Sequence, residues 1–201
     1  MVLLKGAVRG GYGAKAAGRL SVFCSVAAGP MNPITTLKTD RLILRPQTLA
    51  DAPDLFAILS DPQAMRFWNR PTIARLAVVE ELVREQQVAM AEGLCRYWTV
   101  CLNGGAIGSV DLSLIQEGSA ELGFLLRPDH WGAGLASEAV GAVIAHGMTA
   151  LRLMRLAAVV QTANRAAARV LEKNRFNFVE ARSVLLADGQ CKDCAFYLRD
   201  A

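Results

Sequence analysis

The sequence predicts an α/β fold: one mixed, mostly antiparallel central sheet of about seven strands with helices on both faces. Three observations carry this. From Arg41 onward, strand-period and helix-period segments follow in the order β-α-α-β-β-β-α-β-α-β-β. Two hairpin signals, Asn103-Gly104 and Asp188-Gly189, ask for antiparallel neighbours. Arg155 to Gln161 is an almost unbroken apolar run, the pattern of a strand covered on both faces.

The elements are read in chain order. Arg41 to Arg45 is a short strand closed by Pro46. Thr48 and Asp51 form an N-terminal capping pattern for a helix through Leu59, which Ser60-Asp61-Pro62 ends. Gln63 to Pro71 reads as a loop. A long helix from Thr72 to about Glu92 sets Leu76, Val79, Val83 and Met90 on one side, and Gly93 stops it. Cys95 to Leu102 and Ala106 to Leu112 are strands joined through Asn103-Gly104. Asn164 caps a helix to about Asn174, and Phe178 to Leu186 with Cys191 to Leu198 form the last hairpin.

The chain is organised around Glu121 to Val140. Ala120, Leu122, Phe124 and Leu126 alternate with Glu121, Gly123 and Leu125, and Pro128 ends the strand. Gly132 and Gly134 then flank Ala133, and a helical pattern begins with Ala136, Val140, Val143 and Ile144 on one face. Glycines let the backbone turn sharply and approach a ligand closely. The first amides of a helix lack internal partners and carry partial positive charge, so such a turn suits a phosphate. The same pattern also serves as a plain tight connection. It is not a Walker loop, and Ser137 replaces the third glycine of the dinucleotide fingerprint.

Bulk properties bound the function. The chain has 201 residues, 53% hydrophobic and 20% charged, which suits one globular domain with a sizeable core. No apolar run reaches the length of a membrane span. Residues 1–31 hold Lys5, Arg9, Lys15 and Arg19 and no acid; the remaining 18 basic residues balance 18 acids. The body is neutral, so charge gives no argument for nucleic acid. Residues 1–31 show no helix or strand period. A disordered basic tail or upstream extension is favoured over a secretory or mitochondrial-type leader, although Val26-Ala27-Ala28 loosely resembles a cleavage site. The domain is expected over residues 32–201.

Four segments resemble the GNAT N-acetyltransferases, in the RimJ/RimL-like branch of ribosomal-protein alanine acetyltransferases. They are Thr39 to Arg45, Pro128 to Ala139, Asn164 with Arg169 to Lys173 and Phe176, and Asp188-Gly189 with Asp193 and Tyr197. The resemblance covers about residues 36–200. It implies a GNAT-like domain that moves an acetyl group from acetyl-coenzyme A directly to a primary amine. It places the pyrophosphate on the amides of Trp131, Gly132, Ala133, Gly134, Leu135 and Ala136, agreeing with the anion-site argument. It lays the pantetheine arm beside Phe124, Leu125 and Leu126, and gives Asn164 a contact to that arm beside its capping role.

Direct transfer needs a neutral amine, a donor to the thioester oxygen, and a proton for the leaving thiolate. Glu121 resembles the carboxylate that serves as base in this branch; otherwise it is a strand carboxylate or an ion-pair partner. The proton donor departs from the pattern: Ala167 stands where the branch has Ser, and Leu171 where other family members have Tyr. The donor is then water or a residue from elsewhere, such as Tyr197, or none is needed. A loop histidine such as His130 is more often solvated or structural. The missing donor leaves a second reading, a non-catalytic acyl-coenzyme A-binding module.

Substrate choice is expected in the loop with Arg66, Trp68 and Asn69, although Phe67 and Trp68 serve equally well as core anchors. The acceptor is a protein N-terminus or a small amine, and a homodimer is left open. Cys191 and Cys194 have C-x-x-C spacing without a second pair, so no metal site is expected. Five incidental cysteines fit a reducing, cytoplasmic setting.

Overall fold

The computed structural model describes residues 34–185 and 189–201. The expected tail, residues 1–31, lies outside them, as does Asp188 of the last turn. Eight strands form one sheet among the described residues. They are β1 (Leu37–Lys38), β2 (Leu42–Pro46), β3 (Arg96–Leu102), β4 (Gly105–Gln116), β5 (Ser119–Leu126), β6 (Arg155–Gln161), β7 (Asn177–Leu185) and β8 (Cys191–Asp200). Their order is β1-β2-β3-β4-β5-β6-β8-β7, and every pair is antiparallel except β5 with β6. The strand beyond the expected seven is β1, a two-residue pairing too short to show a period.

Among the described residues five α-helices complete the fold: α1 (Ala52–Leu59), α2 (Pro62–Met65), α3 (Leu76–Ala91), α4 (Leu135–Thr149) and α5 (Arg165–Lys173). The single turn α2 opens what reads as a loop. Asp61 accepts from the amides of Gln63 and Ala64, and Pro62 fits the first helical position. Helix α3 begins at Leu76 rather than Thr72. The Ile73 amide is bonded to the Leu59 carbonyl at 2.9 Å, which holds this entry segment extended over α1. At its far end Gly93 takes φ +78°, the left-handed stop that glycine permits. The β3–β4 turn has positive φ at both Asn103 and Gly104, as a tight hairpin requires.

Two cores sandwich the sheet. On one face α4 and α5 cover Leu42, Trp98, Val110, Leu122, Phe124, Leu156 and Ala158. On the other, α1, α2 and α3 pack with Leu125, and Met90 of α3 meets Tyr97. Residues 120–126 of β5 are therefore all buried, although their alternation reads as half-buried. The period survives as a choice between two cores rather than between core and solvent. Strands β5 and β6 pair only through Ser119–Glu121 and Arg155–Ala157. Beyond that β6 continues with β8 alone, leaving the β6-facing edge of Leu122–Leu126 without a strand partner.

Candidate active site

The opening between β5 and β6 leads to the glycine turn. After β5, Pro128–His130 form a short helical turn, and the Trp131 indole Nε1 donates to the Leu126 carbonyl at 2.9 Å. This bond ties the turn to the end of the strand. Gly132 and Gly134 take φ +80° and +79°, a region costly for residues with a β-carbon. Gly134 stands immediately before α4. Among the described residues, no acceptor meets the amides of Gly132 to Ser137. Trp131, Gly132, Gly134, Leu135 and Ala136 line a cleft of about 220 Å³ whose opposite wall is α5, with Arg169 and Lys173. Free amides, a helix N-terminus and two cations together favour an anion.

The turn is held from outside the cleft. The Arg41 Nη1 donates to the Ala133 carbonyl at 3.0 Å, and its Nε donates to Glu138 Oε2 at 2.7 Å. Ala133 thus turns its carbonyl to Arg41 rather than lining the cleft. The Thr39 hydroxyl donates to Glu138 Oε1 at 2.6 Å, and the Arg41 amide at 3.0 Å. Burial works against the Glu138 carboxylate. The Thr39 and Arg41 donors outweigh it and hold this carboxyl below the usual carboxylate range.

Asn164 is buried, and its Oδ1 accepts from the Ala167 amide at 3.2 Å, so it caps α5. Ala167 and Leu171 are fully buried on the inner face of α5. Phe124 and Leu126 face the α4–α5 core, and Leu125 the opposite one.

Glu121 is 3% exposed and lies beside Ser113 of β4 and Ala157 of β6. Strand parity puts it with Gly123 and Leu125, on the face covered by α1 to α3. Tyr197 pairs with Ala158 and faces α5, its ring edge-on to Phe178 at 5.9 Å. The structure therefore does not bring Glu121 and Tyr197 together; the sheet runs between them. Burial and the neighbouring Glu172 raise the Tyr197 phenol above its ordinary value, against the opposing pull of Arg165. Tyr197 lines a separate groove with Arg165, Arg169, Glu172 and Phe178.

Of the expected acceptor residues, Trp68 packs against the α1–α3 core and lines a pocket of about 250 Å³. Arg66 stacks on the Phe67 ring, 5.1 Å from its centre, and is exposed. Asn69 is half-buried and is not among the pocket's lining residues. The lining adds Arg70, Glu85, Gln86 and Tyr97, which the sequence did not single out. Asp111 was also missed. It is 2% exposed, pairs across β4–β5 with Gly123, and shares the face of Glu121. Its signal was an acid inside an apolar strand. Among the described residues no cluster of His, Cys, Asp and Glu could hold a metal, and no helix is long and apolar enough to cross a membrane.

Known proteins resemble this chain in sequence and in fold. Residues 41–177 match the family described as Acetyltransferase (GNAT) domain. An uncharacterized N-acetyltransferase, p20, of Bacillus licheniformis is 31% identical over 145 residues, covering 70% of this chain and 82% of its own. The uncharacterized N-acetyltransferase YoaA of Bacillus subtilis is 31% identical over 144 residues, covering 70% and 81%. A solved RimL ribosomal L7/L12 alpha-N-protein acetyltransferase in complex with coenzyme A has a TM-score of 0.76 at 17% identity, over 83% of this chain and 98% of that one. A spermidine N-acetyltransferase from Vibrio cholerae, in complex with coenzyme A and spermine, has a TM-score of 0.72 at 20% identity, over 81% and 96%. These two structures share the fold.

Proposed function

This chain belongs to the GNAT acetyltransferases, and from that premise we propose that it acetylates a primary amine at the β5–β6 opening, with the pyrophosphate of acetyl-coenzyme A on the turn Trp131–Ala136. The observation that carries this reading is the row of unpartnered amides from Gly132 to Ala136, facing Arg169 and Lys173; the Trp131 amide, expected in that row, donates instead to the Pro128 carbonyl at 3.1 Å. The open edge of Leu122–Leu126 supports the pantetheine arm there, with Phe124, Leu125 and Leu126 beside it and Asn164 at its far side.

Acetyl-coenzyme A supplies the thioester. The amine nitrogen attacks its carbonyl carbon, the C–S bond breaks, and the amine proton must leave. Glu121 takes that proton, directly or through water, from an amine arriving on the α1–α3 face. The acceptor's remaining atoms then lie toward Trp68 and its pocket. Buried Ala167 and Leu171 offer no proton to the thiolate, and Tyr197 stands on the other face, so water supplies it. A coenzyme A thiol is a good leaving group and does not require a protein acid.

The acceptor is either a protein N-terminus or a small amine. An α-amine, with a pKa near 8, needs less from its base than a lysine-like amine near 10.4. The test measures thiol release from acetyl-coenzyme A with N-terminal peptides, spermidine, an aminoglycoside and free amino acids. Turnover with one class is expected. Coenzyme A binding with no thiol release from any amine would overturn the proposed transfer.

A further inference from the structure

The glycine turn and the first strands are 92 to 97 residues apart in sequence, yet one side chain joins them. Arg41 reaches Ala133 and Glu138 at once. Two consequences follow from the geometry. A trans peptide is planar, with its C=O and N–H pointing in opposite directions. Holding the Ala133 carbonyl on Arg41 therefore aims the Gly134 amide away from Arg41, and Gly134 lines the cleft. The second consequence is electrostatic. Glu138 lies in the first turn of α4, where a carboxylate is favoured by the helix dipole. A pyrophosphate at the same end would meet that negative charge. The Arg41 guanidinium sits against it, with Nη2 2.6 Å from Glu138 Oε2.

We propose that Arg41 is a positioning residue for coenzyme A: it fixes the direction of the Gly134 amide and cancels the charge of Glu138 beside the pyrophosphate. This rests on the reading that the turn takes the pyrophosphate. Arg41 itself touches no part of the cofactor; it acts through the turn and through Glu138.

The test is calorimetric titration of coenzyme A into the full chain and into Arg41→Gln, Glu138→Gln and the double variant, with melting temperatures alongside. Arg41→Gln should weaken binding about tenfold or more, the size of one charged hydrogen bond. It leaves Glu138 uncompensated, so added salt should shrink the loss. The double variant lacks both charges and should bind better than Arg41→Gln. A merely structural role for Arg41 would make the double variant bind no better than Arg41→Gln, and that outcome overturns the proposal. Wild-type affinity in Arg41→Gln also overturns it. If Arg41→Gln does not fold, Arg41→Lys decides: it keeps the charge and loses the fork, so affinity between wild type and background supports the proposal and unchanged affinity overturns it. Gly134→Asp is the control for the underlying reading. Unchanged coenzyme A affinity there means that the pyrophosphate lies elsewhere. Loss there, with Arg41→Gln unaffected, removes only the role of Arg41.

Discussion

The carboxylate of Asp111 lies directly over the backbone of Gly123. A β-carbon built on Gly123 would come within 2.6 Å of Asp111 Oδ1 and 3.0 Å of its Cγ. Both residues sit on the face of the sheet that carries Glu121, with Asp111 diagonal to it across β4–β5. Gly123 thus leaves room for the Asp111 carboxylate, next to the strand edge assigned to the cofactor. Gly123→Ala should cost about 1–3 kcal/mol by overpacking, read as a drop in melting temperature of about 2–4 °C for each kcal/mol. Adding Asp111→Ala should recover part of that loss. A Gly123→Ala protein as stable as the wild type would show that this contact is not close.

For Glu121, the expected signature is kinetic. Glu121→Gln keeps the shape and removes the carboxylate. Coenzyme A affinity should hold, while turnover falls about a hundredfold or more. The deficit should narrow as pH rises toward the amine's own pKa, because the free amine then needs no base. A Gln variant matching wild-type turnover across pH 6–9 would leave solvent as the proton acceptor.

At the glycine turn, Gly134→Asp places a carboxylate where the pyrophosphate is assigned. Asp tolerates the left-handed region better than most residues, so the fold should survive φ +79° there. Coenzyme A affinity, measured by calorimetry, should fall by well over tenfold from charge repulsion at the amides.

A fourth expectation concerns stability against pH. Asp51 is 1% exposed and accepts from Arg45, from the Thr48 amide at 2.8 Å and from the Thr99 hydroxyl at 2.9 Å. Burial opposes its charge, but Arg45, Thr48 and Thr99 outweigh burial and hold the carboxyl below its ordinary value. A depressed folded pKa means stability that is fully present above the ordinary carboxylate range. It is lost as pH falls through that range toward the folded pKa. Asp51→Asn should cost about 2 kcal/mol at pH 7, since Arg45 is partly exposed and screened. Its melting temperature should also change less than the wild type's between about pH 5 and pH 2. Parallel pH curves for the two proteins would rule out this ionisation as the source.

Much of the fold was legible because local chemistry fixes it. Asn103-Gly104, Gly93 and Asn164 each do in the structure what their residue types demand, since a positive φ or a missing amide partner is a local matter. The start of α3 was not legible. Thr72 to Arg75 carry no signal against a helix, and it is the Leu59 carbonyl, a distant partner, that holds Ile73 extended. The site divides in the same way. The glycine turn and its helix are contiguous in sequence, so the geometry that suits an anion is visible there. The cations on its far wall, Arg169 and Lys173, lie on another helix.

The sequence by itself determined the order of the elements apart from β1 and α2, the glycine turn that opens α4, and the family to which those motifs belong. Each depends on residues close together in the chain. Only the tertiary structure decided which candidates share a face. Glu121 and Tyr197 both read as residues of strands near the cofactor, yet they project to opposite sides of the sheet. Arg41 meets Glu138 only through the packing of α4 beside the first strands, and Asp111 meets Gly123 only through the β4–β5 register. The physical reason is the two-residue period of a strand. One residue of slip, such as the bulge between Phe178 and Glu180 in β7, moves every later side chain to the other face. Between strands far apart in the chain, register is fixed by long-range pairing and by the two cores, beyond the reach of a turn signal such as Asn103-Gly104.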